Sequence, residues 1–429
     1  MNINGLSFNA LPPIDLPFRF FLTAPLFVIL CALLILFSGE TLWISRWHPY
    51  MLALTHGFTL GFLSMVMMGA LLQLLPVIGG IGITKPRKIT YFCHTSLVLG
   101  TLCLMANFIW PNTVLGFSSL ILLVCSLGTY FIAFTLVLLK KLSQGDSIIG
   151  FRLAMTALLI VLLMGVILLS QRFELLEFSH TGKELTNNHA LFGLAGWGSI
   201  LIISVSFQVI PMFHVAPSFP KIISHYLPSF LFFLLVLSIF KPTVVAPFIV
   251  LTHGVFALSL LFVISKRKRK IPDSTIRFWQ LAAFTLVGLN IFYFIPDKYL
   301  PSHVAQQKTL LIACCYLYFY LMAVIQGMLL KILPFLSYTH LQQKCLMNFA
   351  AMQAIPHMHE FLNKKHAQWL FYLHIATGGI LLLTLMMPST YWLLSLLLFT
   401  EFSWLLYLMS KTVRLYFATL TKVNLSVNA

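Results

Sequence analysis

His56, His189 and His253 each stand in the outer half of a long apolar run, the second, sixth and eighth of the chain. A neutral imidazole is the commonest protein ligand for haem iron, copper and zinc, and one left without a partner at bilayer depth is costly. Three such rings in the outer halves of their helices predict a metal or an axially ligated haem. The plainer reading is that each ring hydrogen-bonds a neighbouring helix, as polar groups in membrane bundles do. His56 is expected about two turns into its helix, His189 at the mouth of its own and His253 near mid-membrane. His56 and His253 are the cofactor-binding candidates; His189 and His253 are the metal-ligand candidates.

The surroundings of His56 favour it. Thr55-His56-Gly57 opens a stretch of small residues and methionines: Gly57, Gly61, Ser64, Met65, Met67, Met68, Gly69 and Ala70. Small residues admit a close helix or a flat macrocycle, and methionines fill irregular shapes; ordinary helix packing explains the glycines equally well. Leu251-Thr-His253-Gly254 echoes Leu54-Thr-His56-Gly57 over four letters.

Two residues bear on protons. Glu401 is the acid that falls inside a predicted bilayer core, where a lone charge costs several kcal/mol, so a protonated or paired carboxyl is expected there. It is a proton-relay candidate, and the alternative is a neutral acid bonded to a neighbouring helix. Lys331, at the inner end of the tenth run, is a second candidate: it feeds protons, pairs with an acid or snorkels to the surface. Pro356-His357-Met-His359-Glu360 with His366 carries transition-metal ligand types, but on a helix positions i and i+2 face apart.

Helices must position all of these. The chain is 59% hydrophobic and 9% charged, with mean hydropathy +0.94. Twelve apolar runs are long enough to cross roughly 30 Å of hydrocarbon as helices. They lie near 18–38, 50–78, 90–110, 113–139, 151–170, 188–213, 226–240, 243–264, 277–295, 309–335, 367–387 and 391–410. The short alternating strands of a membrane β-barrel are missing. The fold class is therefore all-α: one integral membrane domain over 1–429.

An internal repeat organises the twelve. Gly69-x3-Gln73-Leu-Leu-Pro76, Ser204-x3-Gln208-Val-Ile-Pro211 and Gly327-x3-Lys331-Ile-Leu-Pro334 close the second, sixth and tenth runs. A small residue, a long polar residue and a proline at fixed offsets predict three pseudo-repeated four-helix arcs, about 17–140, 150–265 and 277–410. The prolines are expected to shape where each helix ends.

The net charge of +17 is unevenly placed. With an inside N-terminus, one set of loops collects Lys85, Arg87, Lys88, Lys140, Lys141, Lys221 and the run 266–270. The opposite loops dilute their few cations with Glu40, Glu174, Glu177, Glu184 and Asp297. That bias orients both termini to the cytoplasm. It also assigns the basic run to anionic lipid, not to nucleic acid. The lipid bilayer is the expected partner and a bacterial inner membrane the expected location. The first run is full length without a small-x-small exit, so it reads as an anchor, not a cleaved signal. Seven cysteines without a CxxC predict neither disulfides nor a thiolate zinc site. The connection 336–366 is expected to hold an interfacial helix.

The twelve helices, the threefold repeat, the inside N-terminus and the Thr55-His56-Gly57 opening of a helix that runs to Pro76 resemble subunit I of the haem–copper oxidase superfamily. The resemblance implies His56 as an axial ligand of a low-spin haem and His189 as a copper ligand. The cofactors implied are haem b and copper, the partners other membrane subunits of a respiratory chain. This chain departs from the family at two places. The histidine pair of helix seven is reduced to His225 at the edge. The His-x-His of helix ten gives way to Cys314-Cys315 with Tyr316, Tyr318 and Tyr320. Without those ligands the oxygen-reducing centre cannot be assembled. The chain is closer to the divergent oxidase-like proteins, such as the nitric-oxide-response (NnrS-like) group, although that group's arginine-rich glycine-histidine signature is missing. The expected function is redox chemistry, respiratory-complex maturation or nitric-oxide defence. A secondary transporter, or a scaffold that kept the fold without a cofactor, are the alternatives.

Overall fold

In lipid, backbone polar groups must be satisfied within a segment, so apolar runs of this length become helices. The computed structural model describes residues 12–79, 82–140, 146–172, 182–268, 270–345 and 349–428. Among them there is no strand, and twelve helices are long and apolar enough to span a membrane. These are α1 Asp15–Ser38, α2 over 49–79, α3 Pro86–Ile109, α4 Thr113–Lys140, α5 Asp146–Arg172 and α6 Gly182–His214. The second half comprises α7 Lys221–Ser238, α8 Pro242–Ser265, α9 Ser274–Phe294, α10 Ser302–Lys344, α11 Lys364–Met386 and α12 Tyr391–Asn428. Lys141, Glu174, Glu177 and Arg269 lie outside the described residues.

Nine helices form a closed ring. Going round it, α1 is followed by α3, α4, α5, α7, α8, α9, α11 and α12, and α12 packs back on α1. The closure is specific: the Ser395 hydroxyl donates to the Ala32 carbonyl at 2.7 Å, and Phe18 meets Tyr416 edge-on. The other three helices, α2, α6 and α10, lie inside. These are the helices that carry the cassettes.

Each inner helix contains a stretch of π-helix: Gly57–Ser64 in α2, Phe192–Ile200 in α6 and Tyr316–Met322 in α10. The π segment of α6 touches those of both α2 and α10 at the centre of the bundle. The segments end five, four and five residues before Gly69, Ser204 and Gly327 respectively (64 to 69, 200 to 204, 322 to 327). A π turn inserts a residue into the helix and redirects the side chains before it, which is why such turns mark functional positions.

The cassette's small residue makes a close approach. A Cβ on Gly69 would lie 2.8 Å from Phe20 Cβ of α1, and one on Gly327 would lie 2.6 Å from Phe278 Cβ of α9. In the middle arc the roles are exchanged: Ser204 of α6 fills the space beside Gly150 of α5. So α1, α5 and α9 each take an inner helix against their backbone at the same place. In the first and third arcs the polar cassette residue ties the same pair. Gln73 Nε2 donates to the Pro12 carbonyl just before α1 at 3.3 Å, and Lys331 bonds the residue that caps α9.

Two expectations are corrected. The cassette prolines do not end their helices: Pro76 and Pro211 each precede the final residue by three positions, and Pro334 stands ten before Lys344. Proline removes one backbone N–H, which kinks a helix but does not stop one held by neighbours. Nor is 336–366 an interfacial helix. α10 continues to Lys344, a short turn of helix follows at Phe349–Gln353, and Asn363 caps α11. The extended ends of α10 and α12 pack together, where Tyr416 Oη bonds His340 Nδ1 at 2.8 Å.

Candidate functional site

His56 is the eighth residue of α2, counted from Pro49, and His189 the eighth of α6, counted from Gly182. The apolar run had placed His189 at a helix mouth, because the polar turn Gly182–Asn188 carries no hydropathy signal. The π segments begin one residue after His56 and three after His189, and the two rings lie near each other. Their centroids are 6.2 Å apart and their planes 28° from parallel. His56 Nδ1 lies 2.8 Å from the Leu52 carbonyl, and His189 Nδ1 lies 3.0 Å from the Val161 carbonyl of α5. A carbonyl only accepts, so both Nδ1 atoms carry the proton and both Nε2 atoms present a lone pair. Gly165 leaves room for this arrangement, since a Cβ there would stand 3.1 Å from His189 Cε1. Phe108, 5.1 Å from the His56 ring, closes one side.

The third histidine is elsewhere. His253 of α8 faces the π segments of α6 and α10. Its Nδ1 donates to the Ile249 carbonyl at 2.8 Å. Its Nε2 lies 2.8 Å from Tyr316 Oη and 3.1 Å from Ser199 Oγ. Ser199 in turn bonds Tyr320 Oη at 2.8 Å. Both nitrogens of His253 are engaged by protein groups, so the structure joins His56 to His189 and leaves His253 in a separate polar cluster.

Glu401 of α12 is completely buried and heads a third cluster. Tyr318 of α10 donates to its Oε2 at 2.5 Å, while Gln326 Nε2 and His374 Nδ1 reach its Oε1 at 2.7 and 2.8 Å. Tyr318 also stacks on the His374 ring at 4.3 Å. The sequence reading missed Tyr318, Gln326 and His374 as site residues. His374 had a usable signal, because it is a histidine inside the predicted span 367–387, the criterion that found His56. The partnership with Glu401, 27 residues on, had none.

Lys331 lies thirteen residues before the end of α10, with its Nζ 2.9 Å from Asp273 Oδ2. His214 Nδ1 approaches the same oxygen at 3.8 Å. Asp273 is the N-cap of α9, its other oxygen accepting from the Thr275 N–H at 2.9 Å. Burial pushes this carboxyl up, but the Lys331 ammonium and its hydrogen bond, His214 and the Thr275 N–H together hold it below the usual carboxylate range. Lys331 is thus an ion-paired residue, apart from Glu401.

His357 and His359 do not lie on a helix as the sequence reading supposed. They sit in a turn, exposed, with parallel rings 5.6 Å apart, while His366 packs on Trp404. Among the described residues no three His, Cys, Asp or Glu side chains gather closely enough to hold a metal ion. The seven cysteines are all free.

Between the C-terminal halves of α2, α6 and α10 lies a cavity of about 110 Å³. Val66, Met67, Leu201, Val205, Val324 and Met328 are typical of its walls, and Gln73 and Trp279 supply its few polar atoms. It can take a small apolar molecule but offers no cage for an ion.

No family model matches the chain, and no curated protein matches it significantly.

Proposed function

We propose that the chain is an oxidase-like membrane redox protein in which His56 and His189 would hold a haem b. The observation that carries this reading is the spacing of the two rings. The two ring centroids are 6.2 Å apart, near enough for both residues to hold one metal centre. The tautomers support it as well: Leu52 and Val161 hold each Nδ1 proton, leaving both Nε2 atoms as donors of electron pairs.

Haem is favoured over copper on ligand count. Haem iron takes one or two side-chain ligands from the protein, whereas the common copper sites take three or more. The third histidine is committed to Tyr316 and Ser199. A bis-histidine haem supplies one-electron transfer. The work left to the chain is to hold two rings at fixed spacing on helices that carry π turns, under the cover of Phe108.

The physiological setting follows from the charge asymmetry: a bacterial inner membrane, both termini cytoplasmic, and the histidine pair in the outer leaflet. Other respiratory membrane subunits, or an electron-transfer partner at that face, are the proposed partners. The transporter alternative draws no support from the central cavity, whose lining is apolar.

The test is cofactor content. Protein purified in detergent from cells supplied with haem and copper is assayed by pyridine haemochrome and by metal analysis. One haem per folded chain is expected. Folded protein with no stoichiometric iron or copper would overturn the proposal and leave the transporter or scaffold reading in its place.

A further inference from the structure

A different feature of the bundle carries an inference that does not rest on the haem reading. Glu401, His374 and Gln326 are each fully buried. Among the described residues the ion-pair partner of Glu401 is His374, and no lysine or arginine is paired with it. An isolated charge at this depth is expensive, so the pair is stable when it is neutral as a whole. Neutrality requires one proton beyond that on Nδ1, placed either on the carboxyl or on the ring.

We infer that Glu401 and His374 form a proton-holding site in the α10–α12 arc, with one labile proton that occupies either member of the pair. The heavy-atom positions serve both placements. With the proton on His374 Nε2, the carboxylate accepts from Nδ1, from Gln326 Nε2 and from Tyr318 Oη. With the proton on Glu401 Oε2, the carboxyl donates to Tyr318 Oη, and Tyr318 turns its own proton to the His374 carbonyl, 3.2 Å away. One tyrosine rotor thus accommodates both states without movement of the helices. A transfer through the ring also balances: Nε2 gains a proton, Nδ1 gives its own to Glu401 Oε1, and the product is a neutral carboxyl beside the Nε2–H ring, with Tyr318 still donating to Oε2.

The atoms without partners identify the entry point. His374 Nε2 and Gln326 Oε1 are both buried and lack a hydrogen bond in the protein. With no protein group on it, Nε2 keeps a lone pair free to bind a proton. Nε2 therefore serves as the port through which the proton reaches the carboxyl.

The experiment uses the full chain in lipid nanodiscs, with infrared spectroscopy of the carboxyl stretch and nitrogen NMR of labelled histidine. The carboxyl band is assigned by its loss in Glu401→Gln; if that variant fails to fold, Glu401→Asp assigns it by a shift. At pH 7 the protonated-carboxyl band and the His374 imidazolium signal should sum to one proton per chain. His374→Phe should move that proton wholly to Glu401 and slow its exchange for deuterium at least tenfold. A bare carboxylate beside a neutral ring, or equally fast exchange in His374→Phe, would overturn the inference.

Discussion

Lys331 Nζ donates to Asp273 Oδ2 at 2.9 Å, joining the cassette of α10 to the residue that caps α9. The acid does two jobs, receiving the ammonium on one oxygen and the Thr275 N–H on the other. Substitutions separate them. Asp273→Asn keeps a good cap and loses the charge, whereas Asp273→Ala loses both, so alanine should cost about 1 kcal/mol more. Thermal unfolding of the two variants in detergent checks the difference.

The same pair gives a pH dependence with a defined sign. Because the folded-state pKa of Asp273 is depressed, its contribution is fully present above the unfolded pKa of about 3.9 and is lost as pH falls through the lower folded value. Wild type should lose thermal stability across that acid window more than Asp273→Asn does. Parallel melting curves between pH 7 and pH 3 measure it; identical acid slopes would contradict it.

Gly327 should not tolerate alanine. On an exposed helix that change stabilises by about 1 kcal/mol. Here the new Cβ would lie 2.6 Å from Phe278 Cβ, an atom that cannot swing away. Overpacking of this kind costs about 1–3 kcal/mol, so the sign reverses. Gly128, with nothing near its Cβ position, is the control expected to follow propensity. Unfolding in mixed micelles compares them.

Ser199 is a hub whose loss should exceed that of an ordinary membrane serine. Its hydroxyl links His253 Nε2 to Tyr320 Oη, and Tyr320 is wholly buried. Ser206 bonds only the carbonyl of Ile203, three residues back in its own helix. Ser199→Ala leaves the Tyr320 hydroxyl without this partner and should destabilise by about 1–2 kcal/mol; Ser206→Ala should fall near the ~0.6 kcal/mol average for membrane hydrogen bonds. Equal melting temperatures for the two variants would contradict the hub.

Hydropathy made the spans legible, because a lipid-crossing helix announces itself by length and apolarity. All twelve runs correspond to helices, including the pair divided at Lys241-Pro242. What it could not show was where polar turns extend a helix. α6 begins at Gly182, which brings His189 level with His56, and α10 runs on past Pro334. The cassette pointed to the three inner helices, but not to how far each runs beyond its proline. The π turns left no sequence signature, since they depend on how neighbours crowd a backbone. That is why the pairing of His56 with His189, and the isolation of His253, emerge only in three dimensions. Glu401 stood out as an acid in a predicted core, but its partners come from two other helices.

The central claim concerns two rings, and one spectrum addresses it. Reduced-minus-oxidised absorption is recorded for wild type, His56→Ala, His189→Ala and His253→Ala, each purified as a folded, monodisperse sample. Wild type should give a Soret band and sharp low-spin α and β bands. Either His56→Ala or His189→Ala should abolish the low-spin pattern, and His253→Ala should retain it. A wild-type spectrum without haem bands, or bands that survive His189→Ala and disappear in His253→Ala, would contradict the account.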